Sequence, residues 1–292
     1  MQVRHIVSAL LLCAATAVRA VAAGPSIGTP VVFADGLTGP EGVAATRTGD
    51  LVVGTTTGDV FRIDASGTAS LVASTGDRLA GVSVLKDGRI AACGFDQDRV
   101  WVIDTNGTPS VLASGIDGPN FLAQERIRGR IFVTSTFAGT IVDITSGTPV
   151  VVASGLVFPN GLAIGRDHGR RFLYVAETLL HRITRYFLNT DGTLGASEVY
   201  ATGLSLADGI AFDARNNLLV VGAGILSVVD PDTRAVTPLT SAAPLDWPSN
   251  IAFGRRGFAR RTMYLANFGP MLGDGTEVIA VPYSIHGARV IR

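Results

Sequence analysis

Charged residues, lysine and cysteine are all scarce in this chain of 292 residues. Charged side chains make up 16% of the chain, below the usual share of about 25%, while hydrophobic residues make up 47%. A chain with this balance buries a large core and is not intrinsically disordered. Its formal net charge is +0, so the composition gives no electrostatic support for nucleic-acid binding. Lys86 is the one lysine, which we attribute to coding bias rather than to a ligand.

Short catalytic motifs are absent as well. The sequence has no Gly-rich phosphate loop, no Ser-His-Asp order and no zinc-ligand spacing. Glycine, in contrast, is abundant at 35 residues, which is typical of a chain with many turns between short strands. Any functional site must therefore be sought in the long-range organisation of the chain.

Residues 1–22 have the features of a secretory signal peptide. Arg4 and His5 form a short positive start, an apolar run follows, and Ala20-Val21-Ala22 offers an A-x-A cleavage site. The apolar run is shorter than the ~20 residues of a membrane span. We therefore expect export to the periplasm or the extracellular space, with 23–292 as the mature domain. The cut could lie a few residues away, and a retained anchor is the alternative.

Cleavage would leave Cys93 as the one cysteine of the mature chain. A single cysteine cannot form an internal disulfide, so the exported protein must be held together by its hydrophobic core. Cys93 lies in a predicted strand, where we interpret it as a small buried apolar residue rather than a nucleophile.

A repeat of about 40 residues organises the mature chain. Four segments share a Gly-Thr start and an apolar strand, and they begin at Gly28, Gly67, Gly107 and Gly147. A second unit recurs between them, and we call its key residues the anchor positions: Glu41, Ala80, Asn120, Asn160, Asp208 and Ser249. A longer gap before Asp208 contains an inserted turn at 189–192. Four short strands per unit and six anchors predict an all-β, six-bladed propeller with four-stranded blades.

The first Gly-Thr segment, residues 28–34, precedes the first anchor and has no blade of its own. We expect it to be the outer strand of the last blade, which would close the ring and cover a sheet edge. The alternative is that the tail at 288–292 supplies this outer strand.

Innermost strands line the channel of a propeller, so the anchors should meet near its axis. Four of the six carry a carboxylate or amide side chain: Glu41, Asn120, Asn160 and Asp208. Two carboxylates and two amides are hard oxygen ligands that suit Ca²⁺, whereas Zn²⁺ prefers His or Cys. Because Asn and Asp before Gly are also ordinary turn formers, a purely structural role is the alternative.

Several segments resemble the gluconolactonase, senescence marker protein and luciferin-regenerating enzyme family. They include Pro40-Glu41-Gly42, residues 158–163, residues 173–178 and Ala207-Asp208-Gly209. The resemblance covers essentially the whole mature chain. It implies a six-bladed propeller with one divalent metal in the channel, usually Ca²⁺ or Zn²⁺. The family's ligands would correspond to Glu41, Asn160 and Asp208, with Asn120 at or beside the metal.

Two departures from the family bear on the substrate. In sugar-lactone hydrolysing members an Arg lies two residues before the third-blade Asn and an Asp follows it, but here these positions hold Gly118 and Phe121. A sugar acid would lose polar contacts, so we assign Asn120 and Phe121 to substrate binding at a more apolar pocket.

These observations predict a metal-dependent hydrolase of a lactone or related ester, with Asp208 as general base or nucleophile. The partner would be a small molecule, and we expect a monomer that binds no nucleic acid. One alternative is a phosphotriesterase of the paraoxonase or fluorophosphatase type; another is a non-catalytic exported binding module. Propellers serve both purposes, so the fold alone does not decide.

Other polar residues are assigned to structure. Glu177 and His181 are expected to hold a turn against neighbouring blades. The basic cluster Arg255, Arg256, Arg260 and Arg261 is expected to be a solvated loop rather than an anion site.

Overall fold

The computed structural model describes residues 24–241, 245–269 and 273–288. The predicted signal peptide therefore lies outside the described residues. Within them, 24 strands form six antiparallel sheets of four strands each. The predicted all-β, six-bladed propeller is confirmed.

After a short first strand, β1 (Val31–Ala34), the chain forms three blades that are each a four-stranded meander. Blade 1 consists of β2 (Pro40–Ala45), β3 (Leu51–Thr55), β4 (Asp59–Ile63) and β5 (Ala69–Ser74). Blade 2 consists of β6 (Leu79–Val84), β7 (Ile90–Gly94), β8 (Arg99–Ile103) and β9 (Pro109–Ser114). Blade 3 consists of β10 (Pro119–Gln124), β11 (Ile131–Ser135), β12 (Thr140–Asp143) and β13 (Val150–Ala153).

The other three blades follow the same order, with one exception in the last. Blade 4 consists of β14 (Pro159–Asp167), β15 (Arg170–Glu177), β16 (Arg182–Leu188) and β17 (Leu194–Thr202), with a 3₁₀ turn at Thr178–Leu180. Blade 5 consists of β18 (Ile210–Phe212), β19 (Leu218–Gly222), β20 (Ile225–Val229) and β21 (Val236–Ser241). Blade 6 consists of β22 (Pro248–Phe253), β23 (Thr262–Asn267), β24 (Glu277–Pro282) and the first strand, β1.

The Gly-Thr repeats mark the turn into the outer strand of a blade. In blade 1, Asp64 Oδ1 accepts hydrogen bonds from the backbone N–H of Ser66 (2.8 Å) and Thr68 (3.1 Å). Gly67 lies between them with φ of 87°, a conformation that favours glycine. Blade 2 repeats this turn from Asp104, which accepts from Thr108 N at 2.8 Å. The recurring motif is thus a recurring Asx turn.

An N-terminal strand closes the ring, as predicted. β1 pairs antiparallel with β24, with Val31 opposite Ala280 and Val32 opposite Ile279. The ring of Phe33 packs edge-on against Tyr264, at a centroid distance of 4.9 Å. The first and last parts of the chain therefore share one blade, and its outer edge is covered.

The core lies between and within the blades. Apolar residues from adjacent sheets form contiguous buried clusters, such as the one that joins blades 2 and 3 around Leu85, Val100 and Val133. Cys93 belongs to this cluster and is fully buried and free, and burial raises the pKa of its thiol. Its interpretation as a small apolar residue is therefore supported. No helix in the described part of the chain is long and apolar enough to cross a membrane.

Candidate active site

The anchor positions stand side by side around the upper end of the channel, where the inner strands begin. Adjacent inner strands approach each other closely at this height. A Cβ placed on Gly161 would lie 2.3 Å from the Asp208 carbonyl oxygen, and one placed on Gly209 would lie 2.5 Å from the Ser249 carbonyl oxygen. The ring continues through Ser249, whose hydroxyl donates to the Glu41 carbonyl oxygen at 2.8 Å. Five anchors are the second residue of an inner strand, and Asp208 lies two residues before β18, so the repeat places neighbouring anchors side by side.

Close packing also explains why glycine follows four of the anchors. A Cβ placed on Gly42 would lie 2.7 Å from the Ala80 carbonyl oxygen, and one placed on Gly81 would lie 2.8 Å from the Asn120 carbonyl oxygen. A side chain there would collide with the next inner strand. The glycines that form part of the family motif are therefore required by the approach of neighbouring blades.

Two carboxylates interact across this part of the channel. The pKa of Glu41 is raised to about 7 by burial, against the opposing influence of the Arg78 guanidinium and of Ser249. The pKa of Asp208 is raised well above its usual range by burial and by the charge of Glu41, while the side chain of Asn160 acts in the opposite direction by hydrogen bonding. The structure thus brings Glu41, Asn160 and Asp208 into one site.

Polar atoms without partners converge on the same site. Glu41 Oε2 and Asn160 Oδ1 are buried and have no hydrogen-bond partner. Buried acceptors without a donor are costly, and two nearby carboxylates repel each other unless a positive charge lies between them. A hard divalent cation would satisfy both requirements, because carboxylate and amide oxygens are its preferred ligands.

The remaining anchors are less directly involved. Asn120 occupies the equivalent position on blade 3 and is buried, with 6% exposure. Its side chain forms no hydrogen bond with those of Glu41, Asn160 or Asp208 in the described ranges. Among the described residues, no three His, Cys, Asp or Glu side chains form a metal-binding group. The donor set is therefore two carboxylates with amides, which suits Ca²⁺ better than Zn²⁺.

An aromatic and basic rim surrounds the upper end. The Arg78 guanidinium lies 5.2 Å from the centre of the Phe95 ring and 3.7 Å from an Asp96 oxygen. Phe137 packs edge-on between Phe95 and Phe158, with centroid distances of 5.3 and 6.3 Å, and remains 60% exposed. The rim therefore presents an apolar surface with one cation close to Glu41.

Phe137 explains the absence of a side chain at position 118. Gly118 has φ of 60°, and a Cβ there would lie 2.6 Å from Phe137 Cδ2. An arginine at this position would displace the aromatic ring. Arg78 lies two residues before Ala80, the same offset that Gly118 has from Asn120, and this offset is the sequence signal that could have identified it.

Phe121 lies lower in the channel than its assignment to the substrate pocket implies. Its N–H donates to the Thr134 hydroxyl at 3.0 Å. Its ring packs against the apolar cluster that includes Leu162 and lines the cavity below the anchors. The substrate contact assigned to Phe121 stays a prediction, whereas Phe95, Phe137 and Phe158 are the aromatic residues of the upper rim.

Glu177 and His181 have structural roles in blade 4, as expected. Glu177 is fully buried and accepts hydrogen bonds from Arg182 Nε (2.7 Å), the Thr184 hydroxyl and the Val157 N–H (2.9 Å). Burial alone would raise its pKa, but these hydrogen bonds outweigh burial and lower it. His181 Nδ1 accepts from the Leu206 N–H at 3.0 Å, which ties blade 4 to the loop before β18.

Fold and site together define a six-bladed propeller with an acidic, amide-flanked centre at the upper end of its channel. Residues 125–268 match the family described as SMP-30/Gluconolactonase/LRE-like region, and residues 32–63 match the family described as strictosidine synthase-like, N-terminal. The match over residues 125–268 agrees with the resemblance to the gluconolactonase-like family. No curated protein sequence matches the chain.

Solved structures share the fold. A gluconolactonase from Xanthomonas campestris is 20% identical, with a TM-score of 0.71 over 89% of this chain and 94% of the other. Regucalcin from Agrobacterium tumefaciens, a calcium-binding protein, is 16% identical, with a TM-score of 0.69 over 90% and 96%. A luciferin-regenerating enzyme is 14% identical, with a TM-score of 0.73 over 90% and 99%. At these identities the likeness establishes the shared fold.

Proposed function

We propose that the protein is a metal-dependent hydrolase of lactones or related esters, with its active site at the upper end of the channel. The observation that carries the proposal is the pair of interacting carboxylates, Glu41 and Asp208, beside the unpartnered acceptor oxygen of Asn160. A gluconolactonase and a calcium-binding protein among the structural neighbours support the same interpretation.

Glu41, Asn160 and Asp208 would hold the cation, with Asn120 at its edge or on the substrate. A divalent cation bound there supplies a Lewis acid that polarises the carbonyl and stabilises the oxyanion. We assign Ca²⁺ to the site because the donors are oxygens. Glu41 would also keep negative charge close to Asp208, and Asn160 would orient the Asp208 carboxylate by donating a hydrogen bond to it.

Asp208 is the residue we assign to proton transfer. As general base it takes a proton from water, whose oxygen forms a bond to the lactone carbonyl carbon. The ring C–O bond then breaks, and the proton passes from Asp208 to the departing alkoxide, which gives the hydroxy acid. In the alternative route Asp208 attacks the carbonyl itself, and water hydrolyses the resulting acyl-enzyme.

The upper rim supports a substrate with an apolar body. Phe137 occupies the space above Gly118, and its exposed ring offers a surface for alkyl or aryl groups. Arg78 adds one positive charge near Glu41, which could bind a polar group at the other end of the substrate. We therefore expect lactones with alkyl or aryl substituents to react faster than sugar lactones.

The experiment is a hydrolysis panel on the mature protein. It contains an alkyl-substituted lactone, gluconolactone, an aryl ester and a phosphotriester, each with and without a chelator. Asp208→Asn should lower kcat for the best substrate by at least about 100-fold, because proton transfer contributes about that much. The matched control is Asp232→Asn, an exposed aspartate in the β20–β21 turn, and it should keep full activity.

Each outcome of the panel is decisive. Loss of activity on chelation and in Asp208→Asn supports the proposal. Preference for the phosphotriester favours the phosphotriesterase alternative. No hydrolysis of any substrate, with a melting temperature that falls on chelation, favours the non-catalytic binding module. Full activity of Asp208→Asn would exclude the assigned role of this residue.

We also propose that the protein is exported after removal of residues 1–22. The apolar run and the A-x-A site support export, and a free, buried Cys93 fits a mature chain that has no need of a disulfide. N-terminal sequencing of the protein recovered outside the cytoplasm should begin at or within a few residues of Ala23. Recovery of the uncleaved chain in the membrane fraction would instead indicate a retained anchor.

A further inference from the structure

A large cavity opens at the lower end of the channel, below the anchor positions. Its volume is about 1490 Å³. It is lined by the later residues of each inner strand, such as Val43–Ala45 and Val82–Val84, and by none of Glu41, Asn120, Asn160 or Asp208. Because all inner strands start at the upper end, this cavity faces the opposite side of the ring from the candidate active site.

The side chains that line this lower cavity carry a large excess of positive charge. Two carboxylates line it, together with seven arginines: Arg47, Arg126, Arg166, Arg171, Arg255, Arg256 and Arg260. Both carboxylates are already engaged. Glu125 pairs with Arg171 and accepts from the Ile127 N–H at 2.9 Å. Asp213 is fully buried and accepts from the Tyr283 hydroxyl (2.9 Å) and Asn217 Nδ2 (2.7 Å).

Three of the arginines come together although they are far apart in the sequence. Burial lowers the pKa of Arg126, and the charges of Arg47 and Arg255 lower it further. The pKa of Arg255 is likewise lowered by burial and by Arg47. In the described part of the chain none of the three forms an ion pair with a carboxylate. Three like charges thus lie close to one another, and no carboxylate of the described residues is paired with them.

The expectation of a solvated loop is wrong for one member of the basic cluster. Arg256, Arg260 and Arg261 are exposed, but Arg255 is half-buried and lines the cavity. Asn250 also lines the cavity; it is 1% exposed and its Nδ2 has no acceptor. A buried donor without a partner therefore also lines the cavity.

The walls between the strand ends and the arginines are apolar. Ala44, Phe121, Ala123, Ile164 and Phe253 line the cavity and are half-buried, so its interior can take a hydrocarbon group while its rim offers guanidinium groups. Arginine binds carboxylate and phosphate groups through paired hydrogen bonds.

From this geometry we propose that the lower cavity binds an amphiphilic anion, with a carboxylate or phosphate head on Arg47, Arg126 and Arg255 and an apolar tail against the inner strands. The site is separate from the proposed hydrolase site and does not depend on it. It could hold a product, a carried molecule or a regulatory ligand of the same chemistry.

The test is calorimetric titration of the mature protein with decanoate and with decyl phosphate, and with decanol and decyltrimethylammonium as neutral and cationic probes of equal tail length. We expect saturable binding of at least one anionic probe, with a Kd at least about tenfold lower than for decanol, because charge-assisted hydrogen bonds contribute that much. The tighter of the two anions identifies the preferred head group. Equal binding of decanol, or no binding of either anion, would overturn the proposal.

Substitutions of single arginines test whether the anion binds in the lower cavity. Arg126→Gln and Arg255→Gln should each weaken binding of the anion about tenfold, while Arg62→Gln, which removes an exposed arginine outside the cavity, should not. Unchanged binding in both cavity variants would overturn the proposal. Binding should persist in Asp208→Asn and with chelator, so failure of the hydrolase proposal leaves this result unaffected. Loss of binding in Asp208→Asn would show that the anion binds at the upper site, and it would refute the proposed lower site.

Discussion

At the scale of single residues, some buried charges of the described part of the chain have partners, and others belong to the sites proposed above. Asp167 is an example of the first kind. Its carboxylate accepts hydrogen bonds from Arg185 Nη1 (2.6 Å), Arg234 Nη2 (2.8 Å) and His168 Nδ1 (2.7 Å). Arg185 in turn lies 4.0 Å from the centre of the Phe172 ring. The group links blades 4 and 5 at the end of β14.

This cluster predicts a pH dependence of stability. Burial alone would raise the pKa of Asp167, but hydrogen bonds from Arg185, Arg234 and His168 outweigh burial and lower it from 3.8 to about 2. Because the folded pKa is below the unfolded value, the stabilisation is fully present above the unfolded pKa and is lost as pH falls through about 2. A shift of this size corresponds to about 2 kcal/mol.

We therefore expect Asp167→Asn to lower the free energy of unfolding by about 2 kcal/mol at neutral pH and to flatten its fall between pH 4 and pH 2. Urea unfolding at several pH values measures both effects. Asp87→Asn is the control, because Asp87 forms an exposed pair with Arg89, and such pairs contribute little. Equal pH profiles for wild type and Asp167→Asn would contradict this account.

At the scale of strands, the short terminal strand β1 determines whether the ring is closed. Its two outward residues, Val31 and Val32, are 54% exposed, so its attachment depends on pairing with β24 and on Phe33. The Phe33 ring contacts Phe258 and Tyr264 at centroid distances of 5.6 and 4.9 Å. These contacts join the start of the chain to the last blade.

Phe33→Ala should therefore lower the free energy of unfolding by about 2 kcal/mol, because it removes a half-buried ring and two aromatic contacts. Val31→Ala on the exposed face should change it by less than about 0.5 kcal/mol. Denaturant unfolding of the two variants gives the comparison. A loss in Phe33→Ala no larger than in Val31→Ala would mean that β1 does not hold the ring closed.

The strands and the upper site could be predicted because they repeat. A spacing of about 40 residues places equivalent side chains at one height in the channel, so the sequence alone was enough to group Glu41, Asn160 and Asp208. Arg78 and Phe137 were missed because they lie in loops outside the anchor register, and only the offset of Arg78 from Ala80 connects Arg78 with the repeat. Phe121 was assigned to substrate binding from its neighbour in sequence, and that assignment stays a prediction; its ring packs against the cluster that includes Leu162 and lines the lower cavity.

At the scale of the whole molecule, the channel has two chemically different ends. The upper end collects two carboxylates and two amides, and the lower cavity collects seven arginines, although the formal net charge of the chain is +0. This polarity could not be predicted from composition. Arg47, Arg126 and Arg255 come from blades 1, 3 and 6, and only closure of the ring brings them together.

The central claim is that the upper end of the channel binds one divalent cation through Glu41, Asn160 and Asp208. Calorimetric titration of Ca²⁺ into the chelator-treated mature protein tests it most directly. We predict one ion per chain, with binding at least about tenfold weaker in Glu41→Gln and in Asp208→Asn and unchanged in Asp232→Asn. No binding by the wild type, or the same affinity in all four proteins, would contradict the claim.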